Sequence, residues 1–130
     1  MTDLPRGIRN HNPGNIRHGA DWQGMAEQQT DSAFVQFKSP EWGIRAMVRI
    51  LRTYESRGLQ TVRQIIDRWA PPNENDTESY VQAVAKAVGV MPSELLTDAH
   101  LPALLKAIIA HENGQQPYTD EQIQQGIDLA

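Results

Sequence analysis

The residue in this sequence best placed for acid–base chemistry is Glu112. It lies in the last turn of a strongly apolar helical segment, LPALLKAIIAHENG, which spans residues 101–114. A carboxyl group at the C-terminal end of a helix lies at the negative end of the helix dipole, and apolar packing adds desolvation. Both effects favour the protonated form, which a general acid needs near neutral pH. The alternative is a solvated helix-end residue beside the predicted cap, Gly114.

Other kinds of reactive site lack their motifs. The chain has no cysteine, which excludes a disulfide framework, a thiolate metal site and a cysteine nucleophile. It contains no Gly-x-Ser-x-Gly, Gly-x-Gly-x-x-Gly or Walker sequence. No His-Glu-x-x-His motif occurs among its four histidines, which are His11, His18, His100 and His111. The sequence therefore predicts neither a metal nor a cofactor, and leaves the carboxylates as the reactive groups.

Helical periodicity predicts the elements that must position Glu112. Three helices are expected in the middle of the chain: from Glu41 to a stop at Gly58, from a cap at Thr61 to Trp69, and from a cap at Asp76 or Thr77 to Gly89. Two more are expected after them, from Asp98 to Asn113 and from a Thr119–Gln122 capping box towards the C-terminus. A brief turn is expected over residues 94–96. Asn-Pro-Gly-Asn at residues 12–15 is a turn signal, and residues 15–38 are read as a short β-hairpin or small sheet. The prediction is a mainly α (α+β) fold with one small β element near the N-terminus.

Length and charge limit the remaining possibilities. A chain of 130 residues is the size of one domain, expected to span residues 1–130. The net charge of -4 disfavours a nucleic-acid binder, although ten of the twelve basic residues precede Ala70. The sequence has no apolar run of about 20 residues and no apolar core for a signal peptide. The chain is therefore expected to be made in the cytoplasm and to need delivery or release if it acts elsewhere.

Two stretches of the chain carry a resemblance to known enzymes. Residues 108–114, IIAHENG, resemble the end of the catalytic helix in soluble lytic transglycosylases and goose-type lysozymes, where the sequence is Glu-Ser-Gly and Asn113 here replaces the Ser. The pattern Asn12-Pro-Gly-Asn-Ile-Arg17, Trp22-x-Gly24 and Phe34-x-x-Phe37-x-Ser39 resembles the flagellar-type glucosaminidases. In those enzymes the Glu helix comes before the Asn motif, whereas here it comes last.

The two matches fit together in a circularly permuted lysozyme-like domain. The motifs RGIRNHNPGNIR, RWAPPNENDT and AIIAHENG, in that order, resemble a family of lysozyme-like proteins from phages and secretion-system effectors, over roughly residues 6–118. Chain termini are often close together in domains, so such a permutation is physically permissible.

The resemblance implies roles for individual residues. Glu112 would protonate the glycosidic oxygen of peptidoglycan, and Asp31, or else Glu27, would be the second carboxylate, although lytic transglycosylases use none. The implied substrate-binding residues are Asn12, Asn15, Trp22, Glu27, Tyr80 and Asn113. Turn chemistry would equally explain the two asparagines of residues 12–15, hairpin packing would explain Trp22, and a core position would explain Tyr80. Trp42 and Trp69 are expected in the core.

The function expected from this resemblance is cleavage of the glycan strand between N-acetylmuramic acid and N-acetylglucosamine, by a muramidase or a lytic transglycosylase. The alternative is a non-catalytic cell-wall-binding or virion structural module with a lysozyme-like fold. Expected partners are peptidoglycan and, by the resemblance, a phage particle, a secretion apparatus or an inhibitor protein. Binding to nucleic acid and insertion into a membrane are not expected. The chain is expected to be a monomer that acts on the wall from the periplasm.

Overall fold

Most of the apolar segments of the chain form helices. A computed structural model describes residues 4–72 and 76–130, and residues 73–75 of the RWAPPNENDT motif lie outside this part. The helices of the described residues are α1 (Arg6–Arg9), α2 (Pro40–Ser56), α3 (Val62–Trp69), α4 (Thr77–Val88), α5 (Leu101–Asn113) and α6 (Asp120–Leu129), with a 3-10 turn at Asp98–His100 before α5. The mainly α prediction is confirmed.

The predicted helix ends are confirmed where a side chain or a glycine sets them. The side chains of Thr61, Asp76 and Thr119 each accept a hydrogen bond from the backbone N–H three residues further on, at the starts of α3, α4 and α6. Gly114 ends α5 with a φ of 73°, a left-handed conformation that glycine adopts without steric cost. The last turn of α5, which carries Glu112, is therefore fixed by local sequence.

α5 runs through the interior and packs against α4, while α2 packs along α6. Leu105, Ile108 and Ile109 of α5 are completely buried. Close approach of α6 to α2 depends on Gly126, where a Cβ atom would come within 2.4 Å of Ile44. α5 itself is buried along its apolar side up to Asn113, directly after Glu112.

The predicted hairpin or sheet over residues 15–38 is wrong. The described part of this segment has only two isolated antiparallel bridges, Arg17 with Phe34 and Met25 with Phe37. Side chains replace the strand ladder. The Gln29 side chain donates to the Gln36 carbonyl and accepts from the Gln36 N–H, and Gln36 Oε1 accepts from the Thr30 N–H. Such side-chain-to-backbone bonds compete with regular pairing.

Two local elements also differ from expectation. The short helix α1 was not predicted, and the turn expected at residues 94–96 lies earlier, closed by a hydrogen bond from the Glu94 N–H to the Met91 carbonyl. Within residues 4–72 and 76–130, none of the helices combines the length and apolar character needed to cross a bilayer.

Candidate functional site

Glu112 is held by two side chains that come from distant parts of the sequence. The Tyr80 hydroxyl, from α4, donates to Glu112 Oε2 at 2.8 Å, and Asn15 Nδ2, from the N-terminal turn, donates to Oε1 at 3.1 Å. Both carboxylate oxygens therefore point to fixed donors while the side chain stays partly exposed. A carboxyl oxygen has two lone pairs, so each one keeps a position for a proton or a ligand.

Tyr80 is a buried donor, only 2% exposed. Burial, together with the negative charge and hydrogen bond of Glu112, raises the pKa of Tyr80 far above its usual range. The hydroxyl therefore stays protonated near neutral pH and donates to Glu112. The ring also stacks on His111, with centroids 3.7 Å apart, which fixes the direction of the hydroxyl.

The N-terminal turn is built to present Asn15 to Glu112. Asn15 has a φ of 52°, a left-handed conformation that asparagine tolerates better than most residues. The turn is held to the end of α5 by Asn113, whose Nδ2 donates to the Pro13 carbonyl at 2.8 Å and to the Ile109 carbonyl at 3.0 Å. Asn113 is 9% exposed, so its role in this structure is to join α5 to the turn.

Gly7 of α1 lies against both asparagines. A Cβ atom at Gly7 would come within 2.5 Å of Asn113 Oδ1, 2.7 Å of Asn15 Oδ1 and 2.9 Å of the Asn12 carbonyl. Each amide is already fixed through its Nδ2 group, so neither oxygen can move away without losing a hydrogen bond. The glycine is therefore required by close packing.

Gly7→Ala is expected to destabilise the protein by up to about 2 kcal/mol, although alanine is the better helix former. The gain in helix propensity is about 1 kcal/mol, whereas overpacking costs about 1 to 3 kcal/mol. Urea unfolding would measure the difference, with Arg9→Ala on the exposed side of α1 as the control. Equal or higher stability of Gly7→Ala would show that the turn and α5 are not packed this closely.

Open space surrounds Glu112 on two sides and forms what we call the Glu112 groove. One cavity is lined by Asp76, Ser79, Tyr80, His111 and Glu112. A second also has Glu112 in its lining, together with Gly14, Asn15, Arg17, Phe34, Trp69 and Ala70. A third shares Arg17 and Trp69 with the second and adds Ile50 and Tyr54. Glu112 thus lies in the middle of an elongated groove.

Asp31, predicted as the second carboxylate, lies outside this groove. It is bound by the Arg6 guanidinium at 2.6 and 2.5 Å and by Asn10 Nδ2 at 2.9 Å, and it also accepts the backbone N–H groups of Ala33 and Phe34. These hydrogen bonds, led by that of Arg6, hold the pKa of Asp31 far below its usual range. Asp31 lines a different cavity, beside Arg6 and Arg9. Its geometry is that of a structural carboxylate closing the loop before Phe34.

Three other predicted substrate-binding residues are not brought to Glu112. Asn12 is completely buried, and its side chain bonds Ile16 and the Val35 carbonyl, so the turn interpretation explains it. Trp22 is partly buried and packs against the core. Glu27 is exposed in the loop that precedes the Phe34 bridge.

Several groove residues were missed from the sequence. Trp69, expected in the core, is only partly buried and lines the groove, with its ring edge-on to Tyr54 at 6.5 Å. One sequence feature indicates this position. Pro71-Pro72 ends α3 shortly after Trp69, so the Trp69 side chain lies at a helix end. Asp76 and His111 were considered only as a cap and as a possible metal ligand. Within the described residues, no three His, Asp or Glu side chains lie close enough to hold a metal ion.

Comparison with known proteins gives a phage relative. No protein-family model matches the chain. It is similar to "Protein P5" of Pseudoalteromonas phage PM2, with 44% identity over 133 residues, covering 98% of this chain and 83% of that protein.

Proposed function

The chain belongs to the family of protein P5 of Pseudoalteromonas phage PM2, and on this premise we propose that it is a phage peptidoglycan hydrolase. It cleaves the glycan strand between N-acetylmuramic acid and N-acetylglucosamine, with Glu112 as the general acid. The observation that carries the proposal is a partly exposed carboxyl, held by Tyr80 and Asn15, at the middle of an elongated groove. A polymer can lie along such a groove with one linkage beside the acid.

The contact between the two ends of the chain supports a circularly permuted lysozyme-like domain. The motif of residues 12–17 and the motif of residues 108–114 are separated by almost the whole sequence, yet Asn15 bonds Glu112 and Asn113 bonds Pro13. A circular permutation reverses the order of two motifs in the sequence and keeps them in contact in the fold, so this contact is what the proposed permutation requires.

In the proposed reaction Glu112 gives its proton to the glycosidic oxygen as the bond from that oxygen to the muramoyl anomeric carbon breaks. The hydrogen bonds from Tyr80 and Asn15 then stabilise the carboxylate that remains. Next, Glu112 accepts a proton either from an attacking water or from the C6 hydroxyl of the same muramoyl residue. The first route gives a reducing sugar, and the second gives a 1,6-anhydro sugar.

Asp76 is the carboxylate that this geometry favours if a second acid takes part. It lines the same cavity as Glu112, whereas Asp31 lines another. Both Asp76 oxygens face Ser79, at 3.2 Å from its N–H and 2.9 Å from its hydroxyl, so the carboxylate is oriented as well as close to the groove. The 1,6-anhydro route needs no second carboxylate.

Mass analysis of purified peptidoglycan digested by the wild-type chain tests the proposal. We expect soluble fragments that end in reducing N-acetylmuramic acid or in its 1,6-anhydro form, and the mass difference of one water separates the two routes. Fragments ending in reducing N-acetylglucosamine would show that the other linkage is cut. Absence of soluble fragments would overturn the proposal.

A second candidate function is a virion structural or wall-binding module without catalysis. The observation that favours it is a pair of exposed apolar side chains in the segment after α4, Met91 at 69% and Leu95 at 65% exposure. In a phage protein, such side chains suit an interface within the particle. Wall binding or particle assembly that persists in Glu112→Gln, with no digestion by the wild-type chain, would support this alternative.

A further inference from the structure

Arg17 brings a positive charge into a groove that is otherwise neutral or acidic. Among the described residues that line the Glu112 groove, it is the only lysine or arginine, whereas Asp76 and Glu112 contribute negative charge. It lines both cavities on the Trp69 side, two residues after Asn15. A substrate that binds next to Glu112 on this side meets the Arg17 guanidinium.

The guanidinium of Arg17 is held in place and has no acidic partner in the part of the chain that the structure describes. It lies over the ring of Phe34, 4.9 Å from the centroid, and Phe34 also pairs with the Arg17 backbone. Arg6 lies against the same ring at 4.6 Å, but Asp31 binds its charge. A cation stacked on an aromatic ring keeps its N–H groups free at the edge.

Three of the eight other arginines that precede Ala70 are engaged in ion pairs away from the groove. Arg6, Arg52 and Arg63 form ion pairs with Asp31, Asp98 and Glu78. The Arg63 guanidinium lowers the pKa of Glu78 to about 2, with help from Gln82, as expected for a persistent pair. These three charges are paired locally, and the positive charge in the groove comes from Arg17.

From this placement we propose that Arg17 binds a carboxylate of the substrate beside the linkage to be cleaved. The groove would then select anionic muramoyl glycan over neutral chitin-type glycan, which has the same kind of linkage without a carboxylate. The inference rests on the proposed function and names the chemistry that its substrate must carry. A guanidinium forms two parallel hydrogen bonds with a carboxylate, which gives direction as well as charge.

Two sources could supply the carboxylate: the lactyl group of muramic acid or the stem peptide attached to it. Binding and cleavage are therefore measured on three glycans: peptide-bearing peptidoglycan, strands from which the peptides have been removed, and chitin oligosaccharides. Wild type, Arg17→Gln and Arg49→Gln are compared at low and high salt. Arg49 is an exposed residue of α2 that lines none of the three groove cavities, so its variant removes the same charge at a distance.

Arg17→Gln is expected to lower kcat/KM on carboxylate-bearing strands about tenfold, mainly through KM, which corresponds to one charge-assisted hydrogen bond. Activity and binding on chitin oligosaccharides should stay unchanged, and the salt dependence on peptidoglycan should weaken. Arg49→Gln should behave as wild type. A loss confined to peptide-free strands identifies the lactyl carboxylate, and a loss confined to peptide-bearing strands identifies the stem peptide.

Equal losses on neutral and anionic glycans would overturn the inference, because Arg17 would then only shape the groove. Unchanged behaviour of Arg17→Gln on all three glycans would overturn it too. The binding measurements keep this test separate from the proposed function. If the wild-type chain cleaves nothing, the proposed function fails, while pelleting with insoluble walls and with chitin still decides whether Arg17 selects carboxylates.

Discussion

Glu112→Gln is expected to lower the rate of peptidoglycan digestion by about 10² to 10⁴-fold, the range that general acid–base catalysis contributes. Glutamine has nearly the same shape, and its carbonyl oxygen can still accept the 2.8 Å hydrogen bond that Tyr80 donates. It has no acidic proton to give to the glycosidic oxygen. The loss should therefore fall on kcat, with little change in wall binding.

A matched control variant distinguishes the loss of the general acid from the loss of one negative charge. Glu121→Gln removes one negative charge from the exposed first turn of α6, and we expect it to digest walls at the wild-type rate. Turbidity of purified walls and release of soluble fragments measure both variants, and urea unfolding checks that both are folded. Digestion by Glu112→Gln at the wild-type rate would exclude Glu112 as the acid.

The helical part of the fold could be predicted because its signals are local. Thr61, Asp76 and Thr119 cap helices through side chains three residues from their partners, and Gly114 stops α5 by its own backbone conformation. The helical spacing of apolar residues then requires only that the apolar side of each helix be buried. These determinants lie within a few residues of each other in the sequence.

The segment between Asn15 and Ser39 could not be predicted, because its own side chains bond its backbone in place of a strand partner. Alternation at residues 34–37 has the pattern of a strand, but Gln29, Gln36 and Asp31 satisfy the backbone groups that a strand partner would take. Nothing in the alternation indicates which side chains will do so. Asp31 is also held by a contact that the sequence pattern does not indicate, since Arg6 binds it from 25 residues away.

The sequence identified the central carboxyl of the candidate site and two of the residues that hold it. Glu112, Asn15 and Tyr80 were all singled out, and the structure brings the three together. Arg17, Trp69 and Asp76 were not, because helix ends and loops place them on the groove and periodicity carries no information about that. Such residues become neighbours only in the folded chain, so only the three-dimensional structure identifies them as parts of one groove.

Asn12→Asp is expected to destabilise the protein by about 3 to 5 kcal/mol at neutral pH, the cost of a buried charge without a partner. The Asn12 side chain is completely buried, and its Nδ2 donates to the Ile16 carbonyl at 2.9 Å and to the Val35 carbonyl at 2.8 Å. The substitution puts a carboxylate oxygen where that donor was, facing two carbonyl oxygens. The shape of the side chain is unchanged, so the cost is electrostatic.

The pH dependence of this variant follows from the same geometry. Burial among carbonyls raises the folded-state pKa of the new carboxyl above its unfolded value, since the protonated form can donate one of the two lost hydrogen bonds. The folded state then binds the proton more tightly, so the deficit relative to wild type should shrink as the pH falls through that pKa. Urea unfolding at several pH values measures it, with Gln28→Glu, an exposed change of the same charge, as the control. If Asn12→Asp kept wild-type stability and lost only wall binding, Asn12 would be a sugar-binding residue and the buried turn described here would be wrong.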